Sequence, residues 1–477
     1  MAGLKQKALS GFKWGTLERI ATYGISFVIS VIIARILVPS DYGIVGMIAI
    51  FLAISQVFID GGFGSALIRK QDRTNLDFST VFYYNIAISL VFYLILFVSA
   101  PLIAKFYNMP VLIPVTRVVA LNTVIGAFGA MHRTKLNIAV DFKTQAKISI
   151  ITLFITGTIG IFMAYKGFGV WALIMQGLAS TLVSTGLIWH FVHWKPELAF
   201  SRSSFLELFG FGSKLMLAGL LNATYTNIYN LVIGKKYNAS DLGYFTRADS
   251  IVQLPASNIT MLIQRVTFPV LSEIQNDTKR LADSYRRLLK MTAFIIFPFM
   301  TLLAALSEPL IKVLLTDKWS PSVPLMQILC FGFMFFPIHA INLNLLQVKG
   351  RSDLFLRLEI LKKLMITIVL FVSFNFGVLA ICLGIVLTSL VSLIINTYYT
   401  GKFIHVGFVK QMMDIVPIFI IAVIAGIFAY LPSFFIVNSF FQLFLGGLAG
   451  IILFIGVASI FKINELKEIK QLIVSYI

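Results

Sequence analysis

Apolar runs of about 20 residues follow one another along almost the whole chain, each long enough to cross a hydrocarbon core of roughly 30 Å once it is helical. This succession restricts the fold more than any motif does. In hydrocarbon every backbone N–H and C=O must be satisfied within the protein, which leaves helices and closed barrels. Barrel strands read as segments of about ten residues with alternating polarity, and this sequence has none. Fourteen spans are predicted, beginning with 13–37 and 42–68, passing through 205–234 and 241–271, and ending with 439–461. The connections between them are too short to bury a core of their own, which excludes a soluble catalytic or receptor domain. The expected fold is an all-α polytopic membrane protein, in keeping with 12% charged residues where soluble domains have about a quarter.

A formal charge of +19 raises nucleic acid as a partner, and the placement of the basic residues argues against it. With the N-terminus in the cytoplasm, 27 of the 39 Lys and Arg residues fall on the cytoplasmic side, 6 on the other side and 6 within spans. Arg133 and Lys135, just past the fourth span, are among the 27. That bias is the signature of membrane orientation, with an even number of spans and both termini cytoplasmic. Cys330 and Cys382 both lie in apolar spans, where small core residues are expected rather than a disulfide or a metal site. The first apolar stretch contains Glu18 and Arg19 and no small-residue cleavage site, so it reads as an uncleaved helix.

The chain repeats itself. FGVWALIMQGLASTLVS from Phe168 returns as FGVLAICLGIVLTSLVS from Phe376, and Pro101-Leu102-Ile103 returns as Pro309-Leu310-Ile311, both 208 positions on. Ser40-Asp41-Tyr42-Gly43 returns as Ser240-Asp241-Leu242-Gly243, 200 positions on. Spans one to six therefore correspond to spans seven to twelve. An even number of spans per half makes the halves parallel copies about an axis along the membrane normal, with a cavity expected on that axis. The expected organisation is a six-helix bundle over 1–204, its repeat over 205–405, and two added C-terminal spans with a short tail over 406–477.

Polar stripes mark the faces turned away from lipid. Thr22, Ser26 and Ser30 share a face of span one with Tyr23 beside them; span seven carries Lys214, Asn222, Tyr225, Thr226, Tyr229 and Asn230; span eight carries Asp249, Gln253, Ser257, Thr260 and Gln264. For any one position interhelical hydrogen bonding is the competing account. Taken together, the stripes point to a hydrated central cavity lined by spans one, two, seven and eight. Arg19, roughly 8 Å inside the boundary of span one, and Asp60, roughly 12 Å inside span two, are deep enough to pair. Lys214 and Arg265 lie at comparable depths on spans seven and eight, and Arg247 lies toward the opposite mouth. A cationic cavity of this kind holds an anion, and Lys and Arg suit phosphate oxygens. The tyrosines serve either to stack on sugar rings or to pack. Asp60-Gly61-Gly62-Phe63-Gly64 and Pro255 weaken helix continuity in spans two and eight, and Ser40-Asp41 and Ser240-Asp241 are expected to cap the helices that follow.

Gly11-Phe12-Lys13-Trp14-Gly15, ARILVPSDYGIVGM from Ala34, DGGFGSALI from Asp60 and LGYFTRAD from Leu242 together resemble the Wzx-type polysaccharide flippases of the multidrug/oligosaccharidyl-lipid/polysaccharide exporter superfamily. The resemblance covers essentially the whole chain. It implies a bacterial inner-membrane carrier, without cofactor, metal or catalytic residues, that moves undecaprenyl-pyrophosphate-linked oligosaccharide between leaflets by alternating access and works beside other polysaccharide-assembly proteins. Arg19, Lys214, Arg247 and Arg265 are then the expected substrate contacts. Thr22, Tyr23, Ser26, Asn222, Tyr225, Thr226, Tyr229, Gln253 and Ser257 are the expected polar lining, and Asp60 is the expected proton or sodium coupling site. Two alternatives stand beside this: a cation-coupled drug antiporter of the same superfamily, which calls for acidic groups in its cavity, and a membrane polysaccharide polymerase or ligase, which calls for paired carboxylates or a large periplasmic loop.

Overall fold

A computed structural model describes residues 22–468 and 471. Within these, the regular structure is helical. The first helices are α1 (Thr22–Ile36), α2 (Pro39–Asp60), α3 (Phe63–Arg69), α4 (Asn75–Tyr107), α5 (Leu112–Ala139), α6 (Phe142–Tyr165), α7 (Val170–Phe191) and α8 (Arg202–Lys236). They continue with α9 (Ala239–Glu273), α10 (Thr278–Ala305), α11 (Ser307–Leu314), α12 (Ser322–Phe333), α13 (Phe336–Val348), α14 (Ser352–Ser373), α15 (Val378–Ile404), α16 (Phe408–Tyr430) and α17 (Ser439–Ile460). Taking α2 with α3, α10 with α11 and α12 with α13 as broken single rods, these account one for one for the fourteen predicted spans. Eleven are long and apolar enough to cross a membrane by length and composition. The others are α1, described only from Thr22, and α9 and α14, each with five charged side chains.

Two compact units divide the chain, the first ending at Gly243 and the second beginning at Tyr244. The repeat in the sequence starts at span seven, yet α8, which is that span, packs along α2 in the first unit. In the first unit α4 lies on α5, α5 on α7 and α6 on α7. Phe63, Leu67, Phe78, Val81, Phe82, Met131, Trp194 and Leu208 belong to one buried apolar cluster, and Ile29 and Ile33 of α1, with Leu37 just past its end, pack on Ala164 and Ala172 of α6 and α7. In the second unit α10 lies on α16, α16 on α17, and α12 and α14 on α15. Its cluster of Leu271, Leu281, Tyr285, Ile341, Leu345, Val348, Ile404 and Val406 adjoins a buried polar node. There the Gln411 amide on α16 exchanges hydrogen bonds with Asn342 on α13 (3.2 Å each way) and donates to Thr400 Oγ1 on α15 (2.9 Å). The added helices are fastened to the repeat by this node and by a two-pronged pairing of Arg286 on α10 with Asp414 on α16, both contacts at 2.7 Å.

The doubled passage forms the same local structure twice. Gly169 (φ 54°) precedes α7 and Gly377 (φ 99°) precedes α15, each in a backbone region that a Cβ disfavours. The expected helix caps shift by a few residues. Asp41 sits in the first turn of α2, accepting from the Val38 N–H at 3.2 Å, and Asn238 is the residue that receives the Asp241 N–H, at 2.8 Å. Pro39 and Ala239 can begin a helix without an intrahelical N–H bond, so the helices start earlier than the Ser-Asp pair suggests. Pro255 and Pro269 lie inside a continuous α9, whereas Gly61 (φ 51°) and Gly62 (φ 72°) do end α2.

Candidate functional site

Polar side chains concentrate inside the first unit because four of its helices place them at helical spacing. On α5 the stripe is Asn122, Gly126, Ala130 and Thr134, flanked by Thr123, Arg133 and Asn137. Its orientation is set from the other side of the helix. His132 is buried, its Nε2 lies 3.1 Å from the Trp194 carbonyl, and its ring packs on Trp189 at 4.4 Å between centroids. Ser180, Thr181 and Ser184 form the facing stripe on α7. That helix is held to α5 by Thr185 Oγ1, which donates to the Ile125 carbonyl (3.3 Å), and by Trp189 Nε1, which donates to the Phe128 carbonyl (2.9 Å). From α2 come Leu52, Gln56 and Asp60, four residues apart on one face, and from α3 comes Ser65.

These stripes enclose a cavity of 780 Å³. A second cavity of 430 Å³ lies between α1, α5, α6 and α7, and Arg133, Ser180 and Ser184 line both. Thr22, Tyr23 and Ser26 of α1 line the second, opposite Gln145, Ser149 and Thr152 of α6. The volumes fall in the range of about 300–1,000 Å³ common for small-molecule sites. Among the described residues, Asp60 and Arg133 are the charged groups lining these cavities. Asp60 owes its position to the break at Gly61 and Gly62, which leaves it on the last turn of α2, and Gln56 Nε2 holds its Oδ1 at 3.0 Å. Asn122 Oδ1 is buried without a hydrogen-bond partner among the described residues, an acceptor available to a ligand hydroxyl.

The structure thus brings Thr22, Tyr23, Ser26 and Asp60 to adjoining cavities within the first unit. On α8, Lys214, Asn222 and Thr226 are exposed, and Tyr225 and Tyr229 are half-buried. In the second unit Arg247 is buried on α9, while Gln253, Ser257 and Arg265 are exposed along the same helix. Arg19 lies outside the described residues. Arg133 went unselected in the sequence because span four was expected to end at 131. The signal that finds it is the run of small and polar residues from Asn122 to Asn137, which keeps helical spacing past that point.

A lumen of hydroxyls and amides, with one carboxylate and one guanidinium among its described lining residues, inside a polytopic helical bundle is the mark of a membrane carrier. The chain belongs to the family described as polysaccharide biosynthesis protein, whose profile matches residues 32–324. It is 25% identical over 436 residues to the teichuronic acid biosynthesis protein TuaB of Bacillus subtilis (strain 168), covering 90% of each chain. It is 24% identical over 406 residues to the lipopolysaccharide biosynthesis protein WzxC of Escherichia coli (strain K12), covering 84% of this chain and 82% of that one. In fold it is similar to the lipid II flippase MurJ in an inward closed conformation, with a TM-score of 0.75, 16% identity and coverage of 94% of this chain and 98% of that one. An inward-facing multidrug resistance MATE transporter is also similar, with a TM-score of 0.62.

Proposed function

We propose that this protein is a flippase that moves lipid-linked oligosaccharide, with an undecaprenyl-pyrophosphate anchor, across the bacterial cytoplasmic membrane for the assembly of surface polysaccharide. Family membership and the polysaccharide-pathway names of the relatives support the pathway; the MurJ-like fold supports a carrier. The observation that carries the reading is the shared lumen of the two cavities, with one guanidinium set among amides and hydroxyls. Arg133 takes the pyrophosphate, since a planar guanidinium offers paired donors to phosphate oxygens. Asn122, Asn137, Ser180, Thr181 and Ser184 exchange hydrogen bonds with sugar hydroxyls, and Tyr23 offers a ring face at the α1 end. The exposed Lys214 and Arg265 and the buried Arg247 are further phosphate contacts along the transport path, with Asn222, Thr226, Gln253 and Ser257 as polar lining.

Asp60 couples the cycle to a proton or sodium ion. Among the described lining residues, an ionised Asp60 cancels the charge of Arg133; with Asp60 neutralised by a cation, the positive charge of Arg133 is left uncompensated and favours an anion. Cation binding and headgroup binding then assist each other, and release of one weakens the other. A cation-drug antiporter calls for a net negative lumen, and among the described residues the lumen holds one carboxylate balanced by one arginine. The charge asymmetry supports both termini in the cytoplasm. The test is flipping of a defined pyrophosphate-linked oligosaccharide in proteoliposomes with and without an ion gradient; transport of organic cations in place of the glycolipid overturns the reading.

A further inference from the structure

Residues 192–201, which connect α7 to α8 in the first unit, present Leu198 at 98% exposure and Phe200 at 55%. A slack loop would fold such groups back onto the protein. This one is held from behind. The Glu197 N–H donates to Ser79 Oγ at 2.9 Å and the Ser201 N–H to Thr80 Oγ1 at 3.0 Å, so both ends of the tip are tied to buried side chains of α4. Between them the Ala199 N–H donates to the Glu197 carbonyl at 2.8 Å, which closes a tight turn. On the inner side Trp194 is buried in the apolar cluster of the unit, with its carbonyl 3.1 Å from His132 Nε2 and its ring 4.9 Å from the Lys135 ammonium. The tip therefore has a fixed shape that keeps Leu198, Ala199 and Phe200 exposed.

Its depth says what the tip meets. Ser79 and Thr80 lie about 6–8 Å along α4 from Asn75, at the level where the apolar run of that helix begins. Interfacial segments bury an apolar side about 5–10 Å into the boundary between headgroups and acyl chains, which is the same level. Lys195 and Arg202 are exposed on either side of the tip, and Glu197 is the acidic residue beside them. The Phe200 ring lies 6.1 Å from that of Phe205, so the apolar surface continues from the tip onto α8, where Leu206 is also exposed. Area decides against a protein partner: two such side chains offer on the order of 200–300 Å², well short of the roughly 800 Å² that each side of a stable interface buries. We propose that the connector is a membrane hook, with Leu198 and Phe200 inserted among the acyl chains of an anionic leaflet while Lys195 and Arg202 hold its phosphate headgroups. The hook ties the joint between the two sequence repeats to the lipid surface, whatever solute the carrier moves.

The experiment attaches a nitroxide to Leu198→Cys, and separately to Lys195→Cys, in the full chain reconstituted into vesicles of phosphatidylethanolamine and phosphatidylglycerol. Cys330 and Cys382 are buried, and the parent chain carried through the same labelling gives the background. Collisions of the label with oxygen, which concentrates among acyl chains, are compared with collisions with a water-soluble nickel complex. Burial of a leucine favours the inserted state by about tenfold or more, so the oxygen-to-nickel ratio at 198 is expected to exceed that at 195 by a similar factor. Adding Phe200→Asp is expected to lower the ratio at 198 to the level found at 195, with thermal unfolding as the control for folding. Replacing phosphatidylglycerol with phosphatidylcholine is expected to lower it by about fivefold, the share of one basic residue at an anionic surface. A ratio at 198 no higher than that at 195 overturns the proposal, and so does a label screened from both reagents, which marks protein against the tip. Equal ratios in the two lipid mixtures overturn the assignment of an anionic surface.

Discussion

Replacing Arg133 with glutamine separates binding from folding more cleanly than any other change in the lumen. Arg133 is exposed to the cavities, and substitutions at exposed positions usually alter stability by no more than about 0.5 kcal/mol. Its neighbour His132 supplies the anchoring of α5, through Trp194 and Trp189, and is untouched by the change. A hydrogen bond from a charged donor contributes about 1.5–3 kcal/mol. Loss of the phosphate contact should therefore raise the half-saturating concentration of substrate by about 10- to 150-fold. Arg133→Lys keeps the charge but loses the planar fork, and should fall between the parent and the glutamine variant. The assay is initial-rate flipping in proteoliposomes over a range of glycolipid concentrations, with thermal unfolding in detergent as the control for folding. An unchanged half-saturating concentration in a fully folded Arg133→Gln protein refutes the assignment, and so does a loss of transport accounted for by a matching fall in Tm.

Asp60→Asn fixes the lumen in its net positive state, so flipping should lose its response to an ion gradient while the glycolipid binds at least as tightly; gradient-dependent transport by this variant removes Asp60 from coupling. Gln411→Ala removes the partner of Asn342 Oδ1 in the second unit, while Asn342 Nδ2 keeps its bond to the Ile338 carbonyl, and should lower stability by about 1–3 kcal/mol, read by thermal unfolding. Asp414→Asn breaks the two-pronged pair with the half-exposed Arg286 and should cost about 1–2 kcal/mol, between the values for exposed and fully buried pairs. The hydrogen bond from Lys70 to Glu207, together with Asp77, raises the Lys70 ammonium above its ordinary 10.5. The stability this adds is fully present below pH 10.5 and lost as pH rises through the higher folded value, so alkaline unfolding should begin earlier in Glu207→Gln than in the parent chain.

Much of the molecule was legible before any fold was seen. Runs of apolar residues specify helices because hydrocarbon leaves the backbone no other partner, and the glycines at 169 and 377 mark the same turn twice because both need a left-handed backbone. Gly61 and Gly62 announced the break that places Asp60. Depth along a helix was also readable, and it placed Asp60 among the charges lying well inside a span. Depth says nothing of azimuth, however. The stripe of α1 was readable as polar, but only packing against α6 and α7 decided that Thr22, Tyr23 and Ser26 line a cavity within the first unit.

Arg133 shows the limit most plainly. Counted from an expected helix end, it belongs to a cytoplasmic loop; carried on the continued α5 and turned by the His132–Trp194 contact, it lines both cavities. The sequence by itself determined that the chain is a succession of apolar helices and which of its passages recur, since these follow from local hydropathy, backbone hydrogen bonding and self-similarity. Tertiary structure alone decided which polar residues share a lumen and where the α7–α8 connector is tied to α4. Those depend on the rotation and spacing of helices far apart in the chain, quantities that no local pattern encodes.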